Sequence, residues 1–76
     1  MKDLVEFLAR SLVDKPDDVQ VDELDDRGVT VYELTVDQED LGKVIGRQGR
    51  TARAIRTILG SAGSKNNRRY ELDILD

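Results

Sequence analysis

"VIGRQGRTARAI", residues 44–55, breaks an apolar, helix-like run with two glycines three apart and then resumes it with arginine at every third position. Gly46 and Gly49 can end one helix and start another. Lacking Cβ atoms, they also leave backbone that a large anion can approach closely. Context favours the second use. The middle residues, Arg47 and Gln48, are a cation and a two-way hydrogen bonder, and Arg50, Arg53 and Arg56 follow. The loop amides and the orphan N–H groups of the following helix would point outward together, with the positive end of the helix dipole behind them.

The pattern alone carries little weight, because glycine at about 7% of residues produces such pairs by chance in many chains of this length. A second copy, Gly60-Ser61-Ala62-Gly63, reads as helix-ending punctuation, with Gly63 as the stop. What distinguishes the first copy is the order of elements around it. Leu4, Leu8 and Leu12 recur at helical spacing with Val5 and Ala9 beside them, predicting a helix over 3–13, and Pro16 follows it. Val19 and Val21 alternate with polar residues, predicting a strand over 19–24. Asp25 to Gly28 is turn chemistry, and Tyr32, Leu34 and Val36 predict a partner strand over 29–36. Asp37 is placed to cap a helix over 38–45, with Leu41, Val44 and Ile45 as its apolar stripe. After the Gly46–Gly49 loop, a helix over 50–62 sets Ala52, Ile55, Ile58, Leu59 and Ala62 within about 60° of one direction, opposite Arg50, Arg53 and Arg56. Ser64 to Asn67 reads as loop, and Tyr70, Leu72 and Ile74 predict a last strand over 69–75. The result is a single α+β domain of order αββααβ.

Charge supports an anion partner despite a formal net charge of −4. Residues 1–40 carry thirteen acids and four bases. Residues 41–70 carry eight bases and no acid, and the last six residues add three acids. Screening acts over about 8 Å at physiological salt, so the local field decides where an anion sits. The chain has no cysteine and no histidine, which removes disulfides, cysteine metal sites and the commonest general base. The Asp22–Asp26 cluster lacks the spacing of a calcium loop and reads as solvated turn. No carboxylate pair falls in an apolar setting suited to acid–base work. Neither enzyme activity, a metal nor a cofactor is expected. The charged amino-terminal stretch and the absence of a long apolar run give a cytoplasmic expectation.

The run Leu41-Gly42-Lys43-Val44-Ile45-Gly46-Arg47-Gln48-Gly49-Arg50-Thr51-Ala52-Arg53-Ala54-Ile55 resembles the core signature of KH domains, which clamp about four nucleotides of single strand at a GXXG loop. Ala52 stands where such signatures usually carry a larger aliphatic residue. The αββααβ order is similar to the type II KH fold, which implies a three-stranded sheet with the helices on one face. The whole chain resembles the small bacterial KH-domain proteins of the KhpA (YlqC-like) family. The resemblance implies single-stranded RNA binding by Gly42, Lys43, Ile45, Gly46, Arg47, Gln48, Gly49, Arg50 and Arg53. It places the groove's other wall at the central strand, Tyr32 to Val36, and a variable loop at Asp25 to Gly28. It further implies an RNA chaperone or post-transcriptional regulator, acting as a homodimer or with a KhpB/Jag-like KH protein, linked to cell elongation and envelope synthesis. A helix-turn-helix DNA binder and a protein-docking module with a cationic helix face stand as alternatives.

Overall fold

Along the second strand, Thr30, Tyr32 and Leu34 are buried while Val29, Val31 and Glu33 between them are only half-buried. That two-residue period gives the sheet one covered and one open face. The computed structural model describes all of residues 1–76 as α1 (Lys2–Leu12), β1 (Gln20–Asp26), β2 (Val29–Thr35), α2 (Leu41–Ile45), α3 (Arg50–Asn66) and β3 (Arg69–Ile74), with single 3₁₀ turns at Pro16–Asp18, Gln38–Asp40 and Arg47–Gly49. The sheet order is β1-β2-β3, with β1 and β2 antiparallel and β2 and β3 parallel. Helix α1 packs over β1 and α3 over β3. The core between them is Val5, Ala9, Val19, Val21, Tyr32, Leu34, Val44, Ile55, Leu59 and Leu72.

Several local readings are corrected. In α1 the fully buried positions are Val5 and Ala9, while Leu4 and Leu8 flank them and Leu12 is left exposed. The leucine row is therefore the shoulder of the buried stripe. Asp25 and Asp26 belong to β1, opposite Thr30 and Val29, and the connection is only Arg27-Gly28. Both residues have positive φ, +55° and +84°, as a two-residue type I′ hairpin requires. Asp25 is held by the Thr30 hydroxyl, which donates to its Oδ1 at 3.1 Å.

The largest correction concerns the end of α3. The helix passes through Gly60 and Gly63 to Asn66, so the expected loop at 64–67 is mostly helical. Its stop is Asn67, left-handed at φ +55°. There the Arg68 N–H donates to Gly63 O at 2.8 Å and the Asn67 N–H to Ser64 O at 3.4 Å, the Schellman arrangement. Gly63 serves packing instead. A Cβ there would lie 2.5 Å from Arg68 O and 3.5 Å from the Tyr70 ring, so only glycine lets the returning chain pass so close. Ile58, at the margin of the apolar arc, stays exposed, whereas Ala52 is 3% exposed and seats the start of α3.

Buried Tyr32 gives the fold a high-pH signature. Its phenol is pushed up to about 12 from 10.0, first by burial and then by the Glu23 carboxylate beside it. The folded state thus keeps a proton that the unfolded chain releases. Tyr32 contributes its full stabilisation below pH 10, and that contribution is lost as pH rises from there toward 12. Thermal melts at pH 9.5 and 11 should show a larger drop for the parent chain than for Tyr32→Phe, which has no proton to lose.

Candidate nucleic-acid interface

Helix α2 exists because Asp37 caps the 3₁₀ turn before it, its carboxylate accepting from the Glu39 N–H at 2.9 Å. Asp40, 1% exposed, accepts from the Asp14 and Lys15 amides at 3.3 and 3.0 Å. A buried carboxylate with two backbone donors is a costly group properly satisfied, and it pins the exit of α1 to the entry of α2. Sequence periodicity gave no sign of this contact, since its partners lie about twenty-five residues apart.

With its entry fixed and Val44 fully buried, α2 ends at Gly46, whose N–H donates to Gly42 O at 2.8 Å. Gly46 has φ +79° and ψ 168°, and an added Cβ would overlap the Thr51 hydroxyl. This region of backbone space is open essentially to glycine alone. Gln48 is left-handed at φ +57° and Gly49 at φ +73°. Nothing lies within 4 Å of where a Gly49 Cβ would stand. Gly46 thus shapes the loop, and Gly49 keeps its outside clear. No side chain caps the amino end of α3; the Gly49 and Arg50 N–H groups donate back to Gly46 O and Arg47 O within the 3₁₀ turn.

The nine residues singled out from the sequence, Gly46 and Gly49 among them, sit in different surroundings. Arg47, Gln48 and Arg50 are exposed at the loop, where the Arg50 Nη2 donates to Gln48 Oε1 at 3.2 Å. Arg53 lies one turn further along α3, exposed, and neither it nor Arg47 or Arg50 is in an ion pair. Gly42 faces open space, so close packing does not explain it. Ile45 is half-buried beside the loop. Lys43 is held by an acid. Its Nζ pairs with Asp14 Oδ2 at 2.8 Å, and that hydrogen bond, followed by the carboxylate's charge, raises the ammonium pKa. Lys15 is similarly engaged with Glu39 at 2.7 Å and Asp37 at 3.6 Å.

Arg56 shows how the cationic face ends. Its Nε and Nη2 donate to Leu72 O at 3.4 and 3.3 Å, across a cleft of about 280 Å³ lined with Arg69, Tyr70 and Glu71. β2 is paired on both sides, so its main chain has no free edge, while β3 is the strand against α3 and has one. Arg50, Arg53 and Arg56, each three apart and so neighbours on the helix, lead from the glycine loop to that edge.

The sequence model of the family described as "KhpA/KhpB, KH domain" matches residues 2–74. The chain belongs to this family. Similar proteins agree over full length: "RNA-binding protein KhpA" of Halalkalibacterium halodurans is 54% identical over 76 residues, covering all of both chains. The protein of that name from Borreliella burgdorferi is 53% identical over 97% of this chain and 90% of its own. That from Aquifex aeolicus is 51% identical over all of this chain and 96% of its own. No solved structure matches. Within this KH family, the αββααβ order and the one-sided sheet are the expected architecture, and Gly46–Gly49 is the loop between its two adjoining helices.

Proposed function

We propose that this chain binds single-stranded RNA, seating the sugar-phosphate backbone on Gly46-Arg47-Gln48-Gly49 and the amino end of α3, with Gly42, Lys43, Ile45, Arg50 and Arg53 alongside. The single observation that carries the reading is the loop itself: three successive cations without acidic partners, beside a glycine whose outer side is empty and a helix end without a side-chain cap. The bases then extend toward Ile45 and the β3 edge. The relatives' name, RNA-binding protein, supports the same ligand. No helix is long and apolar enough to cross a membrane; the proposed site of action is the cytoplasm. RNA chaperoning or post-transcriptional control, together with a second KH chain or a KhpB/Jag-like partner in cell elongation, completes the proposal. Family resemblance supports these parts, and exposed Ile58 on the outer face of α3 offers apolar surface for such pairing.

Anisotropy of labelled single-stranded RNA across a salt series tests the reading. Three or four phosphate contacts give a log–log slope of about −2 to −3, at roughly −0.7 per contact on a single strand. A flat response, or duplex DNA binding as tightly, favours the docking or helix-turn-helix alternatives. Asp14 tempers the site by holding Lys43. Asp14→Asn should tighten RNA binding by about two- to threefold at low salt, with the difference shrinking as salt rises.

A further inference from the structure

All three helices lie on one side of the sheet, and the other side is bare. By strand alternation and register, the bare face carries Asp22, Leu24 and Asp26 from β1, Val29, Val31 and Glu33 from β2, and Arg69, Glu71 and Asp73 from β3. Five acids against one base give it a net charge of −4. The register is more telling than the count. Asp22 pairs directly with Glu33, and Glu33 with Asp73, so one rung across the whole sheet is carboxylate on every strand. Strands lie about 4.8 Å apart, and like charges directly opposite one another destabilise a sheet. No cation of the chain relieves this rung, although Asp14, Asp37, Glu39 and Glu6 elsewhere each have an ion-pair partner. The neighbouring rung is Leu24–Val31–Glu71, and Leu24 is 47% exposed. On β1 and β2, Leu24 and Val31 thus form a small apolar patch beside the acidic rung.

We infer that this face docks a short, lysine- or arginine-rich amphipathic segment of a protein partner, independently of RNA on the opposite side. Charge complementarity selects that occupant. RNA is repelled by the carboxylates, and a second copy would set the same rung against itself. The face is three strands wide, about 10 Å from β1 to β3 at roughly 4.8 Å per strand. It suits a single helix about 10–12 Å across, whose apolar stripe meets Leu24 and Val31 and whose cations meet the rung. The arrangement would make the chain a bridge between a polyanion and a basic protein.

The test uses the full chain, ¹⁵N-labelled, titrated with a lysine–leucine amphipathic helical peptide and, as control, a lysine–serine peptide of equal length and charge. Amide shifts should map to residues 22, 24, 31, 33, 71 and 73. The triple variant Asp22→Asn, Glu33→Gln, Asp73→Asn should bind at least about tenfold more weakly while melting higher than the parent chain, since it removes repulsion. Leu24→Ser should weaken binding about threefold or more at unchanged charge. RNA affinity should stay the same in both. Equal binding of the two peptides would overturn the inference, as would unchanged affinity in the triple variant. Sedimentation showing a dimer that Leu24→Ser dissociates would also overturn it, by making the occupant a second copy.

Discussion

Arg47→Asp combined with Gln48→Asp should weaken single-stranded RNA binding by about a hundredfold or more, which corresponds to roughly 2.7 kcal/mol. The pair of changes removes one positive charge and adds two negative ones where a phosphate is to sit. Each unit charge at about 4 Å contributes on the order of 1 to 4 kcal/mol between bulk water and a protein surface, so even heavily screened charges sum to this loss. Folding has little reason to respond. Both side chains are exposed, and their one hydrogen bond is the exposed contact from Arg50 to Gln48. Aspartate also tolerates the left-handed conformation of position 48 better than most residues. Circular dichroism should be unchanged and stability within about 0.5 kcal/mol of the parent. Retained affinity in this variant would reduce the loop to a turn.

Gly46→Ala should do the opposite, damaging the fold first. Its φ of +79° with ψ of 168° lies where side chains are strongly disfavoured, and the new methyl would meet the Thr51 side chain and backbone N. Strain of this type costs roughly 1–3 kcal/mol before any displacement of Thr51. A chain of this size has on the order of 4–11 kcal/mol in total. The melting temperature should therefore fall by about 10–20 °C, at 4–8 °C per kcal/mol. Gly49→Ala makes the informative contrast. Its φ of +73° is ordinary left-handed backbone with empty space outside, costing about 1–2 kcal/mol. Its methyl, however, would stand in the open space proposed for a phosphate. Stability should drop only modestly and RNA affinity more steeply. Parallel melts and anisotropy on the two variants separate the glycine that builds the loop from the glycine that leaves room for a ligand.

Element identity was readable because each element has a clear period. Thr30–Leu34 alternates on a half-covered sheet, and Ala52, Ile55 and Leu59 recur on one face of α3. Ends were less legible where a tertiary contact decides them. Gly63 looks like a stop, yet it is glycine because Arg68 and Tyr70 fold back against it, and Asn67 makes the turn. Asp25 and Asp26 look like loop residues until the two-residue hairpin leaves them paired in β1. At the site, the loop and its arginines follow from local sequence, whereas the Lys43–Asp14 pair, the Asp40 anchor and the Arg56–Leu72 contact join residues 16 to 29 positions apart. No periodicity encodes such contacts. Which strand presents a free edge beside α3 is hidden for the same reason, since strand order decides it.

The seat of the RNA is tested most directly by following the backbone amides of the ¹⁵N-labelled chain as a short single-stranded oligoribonucleotide is added. The largest shifts should fall on residues 46–50, continue along Arg53 and reach the β3 edge, while the open sheet face around Leu24 and Glu33 stays still. Amides 46–50 that hold their positions while the RNA binds elsewhere would contradict this placement.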